Sequence, residues 1–231
     1  MKFAEIYERL FDEFGEQHWW PGETEFEVIV GAILTQQASW KNVEAAIKNL
    51  KKNKVLDERI IYNIELKKLE ELVKPSGFYR IKAKRLKNFV NFLFEKYDGS
   101  LEKLFKLEKN ELRKVLLSVN GIGKETADSI VLYAANKPSF VIDAYTIRIF
   151  TRLGVLKEKE YDKVKAAFEN SLPQDVQLYK EYHALIVHLG KNICKTKPLC
   201  GMCPLKGMCE YAAVNNNHTK EKSKRNEKRF K

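Results

Sequence analysis

The chain has 231 residues, of which 44% are hydrophobic, so it is long enough to bury a sizeable core in one domain or two small lobes. No apolar run approaches the roughly 20 residues that span a bilayer, and the charged N-terminus is unlike a secretory signal. We therefore expect a cytoplasmic protein with no membrane partner. The net charge of +11 favours a polyanionic partner, with nucleic acid first. Residues 220–231 hold five of these net charges, a composition typical of a disordered tail.

The hydrophobic spacing is helical nearly throughout the chain and predicts an all-α fold. From Phe3 to Phe14, apolar residues recur every three or four positions and form one stripe. Similar patterns predict helices over residues 26–34, 43–50, 64–73, 82–97, 109–118, 124–136, 144–153, 161–171 and 174–189. The one segment that could form a strand, residues 139–142, is too short to pair usefully.

Residues 116–127, LLSVNGIGKETA, predict a helix, a tight turn and a second helix. Gly121 and Gly123 allow backbone angles closed to other residues and let another backbone approach closely. The second helix begins near Lys124, so its unbonded N–H groups and positive end suit a phosphate. A plain αα-hairpin that only joins two helices explains the same spacing equally well.

Asp143 follows the apolar run SFVI and stands at the start of a new helix. Asp is a preferred N-cap residue, and taken alone this position favours that structural role. Together, however, the segments VNGIGKETA and VIDAY resemble the helix-hairpin-helix and catalytic-aspartate motifs of the endonuclease III superfamily of DNA glycosylases. The resemblance implies that Asp143 stabilises the sugar cation that forms as the N-glycosidic bond breaks. It also implies that Gly121, Gly123 and Lys124 grip the DNA backbone.

The resemblance covers about residues 1–210 and implies two helical lobes with a DNA-binding cleft. A six-helix barrel with the hairpin is expected over residues 23–136. The second lobe is expected to combine residues 1–22 with 137–211 and to carry the cysteines, and residues 212–231 form a basic tail. The implied partner is double-stranded DNA that contains damaged bases, bound by a monomer associated with the nucleoid.

All four cysteines lie in one short segment with the spacing C-x5-C-x2-C-x5-C: Cys194, Cys200, Cys203 and Cys209. In a cytoplasmic protein this grouping favours a metal site over disulfides. Zinc is the alternative, but zinc sites usually present two Cys-x2-Cys pairs and only one is present. A [4Fe–4S] cluster fits better. The segment also resembles the iron–sulfur loop of the superfamily, with five rather than six residues in its first interval, and that loop has a structural rather than catalytic role.

The segments WWP and LTQQ, the latter followed by an aromatic residue, resemble the 3-methyladenine glycosylases of this superfamily. The resemblance implies a base pocket bordered by Trp19, Trp20 and Trp40, with His18 beside them; ordinary core packing is the alternative. Alkylated purines such as 3-methyladenine and 7-methylguanine are cationic. Stacking on an indole therefore gains roughly 0.5–2 kcal/mol of cation–π energy that an undamaged base lacks.

In superfamily members that also cut the strand, a lysine attacks the sugar, and Glu125 occupies that position here. Lys124 is one residue away, about 100° around the helix, and cannot substitute. We therefore expect a monofunctional glycosylase that uses water, with Glu125 in the pocket. Gln37, in preference to Gln36, is expected to fill the gap that the flipped base leaves in the duplex.

Other functions remain open on the sequence alone. One is an endonuclease III-like glycosylase and lyase acting on oxidised pyrimidines, and another is a glycosylase for mismatched thymine or adenine. Outside the enzymes, a non-catalytic helix-hairpin-helix DNA-binding protein is the alternative. His183 and His188 lie in an apolar helix and are predicted to be packing residues. Tyr145 and Arg148 could approach DNA or simply lie on a helix surface.

Overall fold

The computed structural model describes residues 2–214, and this part of the chain contains helices and no strand. The predicted all-α fold is confirmed. The α-helices are α1 (Lys2–Phe14), α2 (Glu25–Leu34), α3 (Trp40–Lys52), α4 (Glu58–Asn63), α5 (Leu66–Val73), α6 (Tyr79–Tyr97), α7 (Leu101–Phe105), α8 (Lys109–Leu117), α9 (Lys124–Ser129), α10 (Ala144–Arg152), α11 (Tyr161–Ser171) and α12 (Val176–Asn192). Short 3₁₀ turns lie at Lys74–Ser76, Cys200–Met202 and Lys206–Met208, and α9 continues as a π-helical turn at Ile130–Ala134. None of the helices in residues 2–214 is long and apolar enough to cross a membrane.

Two short helices lie where the hydrophobic pattern predicts none. Helices α4 and α7 have six and five residues, fewer than two turns, so no periodicity can be detected in them. Their start signals are visible instead. Asp57 accepts the N–H of Ile60, and Ser100 accepts the N–H of Lys103, as N-cap side chains do. The segment at 139–142 is buried but pairs with no strand in the described chain.

The described chain forms two compact units. The first, which we call the hairpin unit, is Trp20–Val141 and contains α2 to α9. The second, which we call the cysteine unit, is formed by the chain on either side of it and contains α1 and α10 to α12.

Helix α2 lies at the centre of the hairpin unit. Every residue from Phe26 to Leu34 is buried, and the helix packs against α3, α6, α9 and the π-helical turn. The sequence explains this position, because α2 is apolar nearly all round and has no face suited to water. Its first turn is fixed by Thr24, whose hydroxyl accepts the N–H of Glu27 at 3.1 Å.

A buried ion pair joins the two helices of the hairpin. Asp128 on α9 is 0% exposed, and its carboxylate accepts the Nε–H of Arg113 on α8 at 2.9 and 3.1 Å. The hydroxyl of Ser139, in the segment after the π-helical turn, donates to the same carboxylate at 2.6 Å. One carboxylate therefore fixes α8, α9 and the chain that follows them.

The cysteine unit packs around an aromatic core. The rings of Phe150 and Phe168 are 4.7 Å apart, and Tyr182 lies 5.9 Å from Phe168. Helix α12 approaches α10 closely at Gly190, where a Cβ would lie 2.5 Å from the ring of Tyr145. This approach brings α12 beside α10 along its length.

Candidate active site

The hairpin turn uses its two glycines in different ways. Gly121 has φ +96°, and a Cβ there would lie 2.3 Å from Cγ of Arg85, so both its backbone angle and its neighbour require glycine. Gly123 has φ −90°, which any residue adopts, and a Cβ there would meet no atom within 4 Å. The chain itself therefore does not require glycine at position 123. The open space beside it is where a second backbone could approach.

Side-chain hydrogen bonds made by Gln36 and Arg85 hold this turn in place. The Nε2–H₂ of Gln36 donates to the carbonyl of Gly121 at 3.0 Å and to the hydroxyl of Thr126 at 2.9 Å. Arg85 of α6 donates to Oε1 of Gln36. Gln36 is thus occupied with the hairpin, whereas Gln37 is exposed and has φ +54°. Of the two glutamines, Gln37 has the side chain in solvent, the position that a gap-filling role needs.

A basic cleft of about 630 Å³ lies beside the hairpin turn. Four of its residues fall at positions i, i+3, i+4 and i+7 of α6, and no acidic side chain lines it. The lining consists of Leu66, Ile81, Lys84, Arg85, Lys87, Asn88, Asn91, Asn120 and Gly121. Sequence analysis missed this cleft, although a polar face of α6 at helical spacing is the signal that marks it.

The N-terminus of α6 carries an exposed aromatic residue. Phe78 is 64% exposed and has φ +45°, a left-handed conformation that is strained for a bulky residue. It follows Gly77, which also has a positive φ, and it precedes the exposed Ile81 of the basic cleft. An exposed, strained aromatic side chain beside a basic cleft is an arrangement suited to stacking on a base.

Two of the predicted pocket tryptophans are in contact in the hairpin unit. The Trp20 ring lies 5.4 Å from Trp40, nearly perpendicular to it, and 5.3 Å from Tyr133. Its indole lies over Gly31 of α2, where a Cβ would be 3.0 Å from the ring. Tyr133 was not predicted, because it belongs to the π-helical turn, whose wider winding the helical pattern does not reveal.

The remaining predicted pocket residues lie elsewhere in the chain. Trp19 belongs to the cysteine unit and is partly buried. His18 is exposed, has φ +50°, and its Nδ1 lies 3.7 Å from Oε1 of Glu16. Glu125 is exposed in the first turn of α9, beside the exposed Lys124.

Asp143 is the N-cap of α10, as its position in the sequence predicts. Oδ1 accepts the backbone N–H of Thr146 at 2.7 Å and its hydroxyl at 2.8 Å. On the other side, Oδ2 lies 3.7 Å from Nε2 of His183 on α12. Burial by itself raises the pKa of Asp143, but hydrogen bonding and charge from His183 and the two donors of Thr146 outweigh it. The pKa of Asp143 therefore lies below its usual value, and the carboxylate is ionised at neutral pH.

His183 was predicted to be a packing residue, and the structure adds a polar contact that the sequence does not reveal. His183 is buried, at 6% exposed, yet its ring faces the carboxylate of Asp143. His188, by contrast, packs against the ring of Phe14 at 4.6 Å. The two histidines of α12 thus have different surroundings.

The four cysteines lie together after α12 and are all partly buried thiols. Burial, with smaller contributions from the other three sulfurs, raises the pKa of Cys203 to about 11, against an opposing hydrogen bond from the backbone of Leu205. Burial likewise raises the pKa of Cys209, against hydrogen bonds from two backbone N–H groups. Within residues 2–214, no three His, Cys, Asp or Glu side chains are arranged to hold a single metal ion.

Two arginines of α10 hold the start of the cysteine segment. Arg148 donates to the carbonyls of Gly190 and Cys194, each at 2.9 Å. Arg152 donates to the carbonyl of Lys195 at 2.6 Å, and its Nη1 lies 3.3 Å from Sγ of Cys194. Arg148, for which the sequence left a DNA contact open, is therefore a structural link from α10 to the cysteine segment.

The profile of the HhH-GPD superfamily of base excision DNA repair proteins matches residues 30–174, which include the hairpin and Asp143. The chain is a member of the HhH-GPD superfamily. A protein of Methanocaldococcus jannaschii, provisionally named a DNA repair glycosylase, is 56% identical over 201 residues, which are 86% of this chain and 91% of that protein. Endonuclease III of Thermotoga maritima is 31% identical over 191 residues, 80% of this chain and 83% of the relative.

Solved structures agree with this assignment. The 3-methyladenine DNA glycosylase MagIII of H. pylori, bound to 1,N6-ethenoadenine, is 32% identical with a TM-score of 0.72, covering 81% of this chain and 96% of that one. A non-covalent complex of endonuclease III with DNA has a TM-score of 0.81 at 22% identity, covering 94% and 97%, which establishes the shared fold. The predicted relation to the helix-hairpin-helix DNA glycosylases is confirmed.

The two hairpin glycines should respond differently to alanine. Gly121→Ala forces a side chain onto Arg85 at a positive φ, so we expect a loss of roughly 1–3 kcal/mol in the free energy of unfolding. Gly123→Ala meets no atom of the chain, so we expect a change within about 0.5 kcal/mol. Urea denaturation followed by circular dichroism measures both.

The same pair tests the role of the turn in DNA binding. If a DNA backbone approaches position 123, Gly123→Ala should weaken binding to duplex DNA while leaving stability intact, measured by fluorescence anisotropy at fixed salt. Lys84→Ala serves as a reference for a purely electrostatic loss. Wild-type affinity in Gly123→Ala would show that no backbone approaches this glycine.

Proposed function

We propose that this chain is a monofunctional DNA glycosylase that removes alkylated purines, such as 3-methyladenine and 7-methylguanine, from double-stranded DNA. Its membership of a base excision repair superfamily gives the reaction class. The observation that carries the choice of base is the aromatic group of Trp20, Trp40 and Tyr133 in the hairpin unit.

The aromatic group suits a cationic base better than a neutral one. Its rings are set at steep angles to one another, 86° between Trp20 and Trp40 and 54° between Trp20 and Tyr133, so their faces point in different directions. A cation near an indole or phenol face gains roughly 0.5–2 kcal/mol that a neutral purine does not. The relation to a 3-methyladenine glycosylase solved with a modified adenine supports a purine substrate.

The chemistry needs one ionised carboxylate and water. An alkylated purine is already a good leaving group because it departs as a neutral base, so a strong general acid is unnecessary. As the N-glycosidic bond breaks, positive charge develops on the sugar, and the ionised carboxylate of Asp143 stabilises it. Water then adds to C1′ and loses a proton, which yields an abasic site with the strand intact.

The first turn of α9 lacks a lysine at the position of the lyase nucleophile. Glu125 stands where the superfamily's lyases have a lysine nucleophile, and a carboxylate cannot form a Schiff base. Lys124 is its neighbour, about 100° around the helix, so the two side chains point in different directions. We therefore assign no lyase step to this chain.

Sequence-independent DNA contact is assigned to the hairpin unit. The open turn at Gly123, the exposed Lys124 and the cations Lys84 and Lys87 of the basic cleft supply groups for phosphates. Gln37 and Phe78 are two exposed side chains on left-handed backbone, and they are the candidates for occupying the gap that a flipped base leaves.

A [4Fe–4S] cluster is assigned to the cysteine segment. Four partly buried thiols that interact electrostatically, with backbone N–H donors to two of the sulfurs, are a donor set that suits such a cluster. When bound, the cluster supplies structural order to this segment and no step of base removal. The chain's own contribution is to hold the segment by Arg148 and Arg152 and to present Lys195, Lys197 and Lys206 toward phosphates.

An endonuclease III-like lyase remains a second candidate. It is favoured by the 31% identity to a protein of that name. The position of Glu125 argues against it, and chemical trapping distinguishes the two.

Base release from methylated duplex DNA tests the proposal directly. We expect free 3-methyladenine or 7-methylguanine, separated by chromatography, without strand cleavage. Asp143→Asn should abolish release and retain DNA binding, because an amide cannot stabilise the sugar cation. Trp40→Leu should slow release of 3-methyladenine by about 2- to 30-fold, the loss of one cation–π contact.

The neutral base 1,N6-ethenoadenine and the variant Trp40→Phe are the matched controls. Trp40→Leu should affect release of the neutral base less than release of the cationic one, and Trp40→Phe should retain most activity on both. If the protein acts only on oxidised pyrimidines or mismatched bases, it is still a DNA glycosylase, but the proposal of a cationic substrate base is wrong.

Borohydride trapping tests the absence of a lyase. The wild-type chain should give no covalent adduct with damaged DNA, whereas Glu125→Lys should become trappable because it restores an amine at the nucleophile position. Lys124→Ala in the Glu125→Lys background should still trap. An adduct from the wild-type chain would support the lyase candidate.

Metal analysis tests the cluster. The protein purified without oxygen should contain about four iron atoms per chain, as a four-thiolate [4Fe–4S] cluster requires. Cys203→Ala should lose iron and lower the thermal midpoint, while Lys206→Ala, in the same segment, should keep both. If the analysis finds stoichiometric zinc and no iron, the four cysteines bind zinc and the cluster proposal is wrong.

A further inference from the structure

The two oxygens of Asp143 have different surroundings. Oδ1 accepts two hydrogen bonds from Thr146, at 2.7 and 2.8 Å, which use both of its lone pairs. Oδ2 faces Nε2 of His183 at 3.7 Å. The side chain of Asp143 is 11% exposed, so a single small part of the carboxylate can reach a reacting sugar. Of the two oxygens, Oδ2 is the one that the capping bonds of Thr146 do not use.

The imidazole of His183 reaches this carboxylate from a different element. Helix α12 packs against α10 and α1, and Asp143 stands at the start of α10. His183 is 6% exposed among buried apolar neighbours, where an imidazole without a polar contact is costly. The carboxylate of Asp143 is a polar group that this buried imidazole faces.

Other charged and titratable groups on these elements have other neighbours among the described residues. On α10, Arg148 donates to the carbonyls of Gly190 and Cys194, and the ring of Tyr145 lies against Gly190. On α12, the carboxylate of Glu181 accepts the N–H of Gln17. Tyr7 packs against Tyr182, and His188 packs against Phe14.

We propose that His183 is a positioning residue for base removal, which orients Oδ2 of Asp143 toward the sugar and keeps the buried carboxylate ionised. The proposal rests on the proposed function only in taking Asp143 as the group that stabilises the sugar cation. His183 itself touches neither substrate nor reacting atoms.

This role follows from the opposing effects at Asp143. Burial favours the protonated acid, which is neutral and cannot stabilise a cation, while His183 and Thr146 favour the carboxylate. Thr146 acts on Oδ1 and would do so in any N-cap. His183 acts on Oδ2 and is the contribution beyond capping. Without it, burial raises the pKa of Asp143, so the ionised fraction falls at mildly acidic pH.

The experiment uses two duplexes that carry a sugar analogue and no base, so it does not depend on which damaged base is removed. One contains pyrrolidine, which is protonated and mimics the sugar cation, and the other contains neutral tetrahydrofuran. The ratio of their affinities, measured between about pH 5.5 and 8, reports the charge on Asp143. The rate of base release in a single turnover is followed over the same pH range.

His183→Leu removes the imidazole that faces Oδ2 and keeps a side chain of similar bulk, while His183→Gln keeps an N–H donor. We expect His183→Leu to reduce the preference for pyrrolidine at the acidic end of the range more than at pH 8, with tetrahydrofuran affinity unchanged, because burial then raises the pKa of Asp143 without the opposing effect of His183. The acidic limb of its pH–rate profile should move to higher pH. His183→Gln should fall between His183→Leu and the wild type, and His188→Leu on the same helix should match the wild type.

A folded His183→Leu that keeps the full preference and an unshifted acidic limb would overturn the proposal and leave His183 a packing residue. If circular dichroism shows that His183→Leu does not fold, His183→Gln decides the matter. A wild-type preference for pyrrolidine with a wild-type acidic limb of the pH–rate profile would overturn the proposal, whereas a partial loss of the preference would support it. No preference for pyrrolidine in the wild type would also overturn it. If the wild type shows the preference but releases no alkylated purine, only the proposed substrate fails.

Discussion

The carboxylate of Asp128 is the interaction on which the geometry of the hairpin depends. Asp128 itself belongs to α9 and is fully buried. Its carboxylate accepts hydrogen bonds from Arg113 of α8 and from the hydroxyl of Ser139, so it links both helices to the segment that follows them. A buried charge is tolerated only when it is paired and hydrogen-bonded, and removing one partner of such a pair costs about 3–5 kcal/mol. The two helices therefore cannot rotate independently, and the turn between them keeps one conformation. That rigidity separates this hairpin from a plain connection between two helices.

The rigid hairpin gives each of its glycines a defined task. The side chain of Arg85 packs against Gly121, and Gln36 donates a hydrogen bond to the Gly121 carbonyl. The conformation of Gly121 is therefore required by the fold. Within residues 2–214, a Cβ on Gly123 would meet no atom within 4 Å, and in the function that we propose its small size allows the DNA backbone to approach. Sequence analysis assigned both functions to both glycines, because spacing alone contains no information about Arg85, which lies more than thirty residues earlier.

Local patterns predicted the longer helices and the N-cap position of Asp143, since these depend on neighbours within one or two turns, but they missed the short helices α4 and α7. Contacts between distant residues could not be predicted in this way. His183 lies forty residues after Asp143, and an apolar stretch of α12 gave no reason to expect a carboxylate beside it. Likewise, Tyr133 joins the aromatic group only because the chain widens into a π-helical turn after α9. Trp20 and Trp40 were found through resemblance, while the role of Gly31 in receiving the Trp20 ring needed coordinates.

The position of Asp143 also shows why its N-cap role and the catalytic role that we propose need not compete. As an N-cap, it needs only one acceptor oxygen, and Thr146 uses Oδ1 for that purpose. The same capping bonds fix the direction of the second oxygen, which a freely rotating carboxylate would not have, so the cap preorganises the group that the chemistry requires. An asparagine could retain the cap but not the negative charge, because its amide presents one acceptor and one donor. Selection for the helix alone would accept either residue, whereas selection for charge stabilisation accepts only the acid. In the mechanism that we propose, the N-cap therefore supports catalysis, because the capping bonds use Oδ1 and leave Oδ2 for the sugar cation.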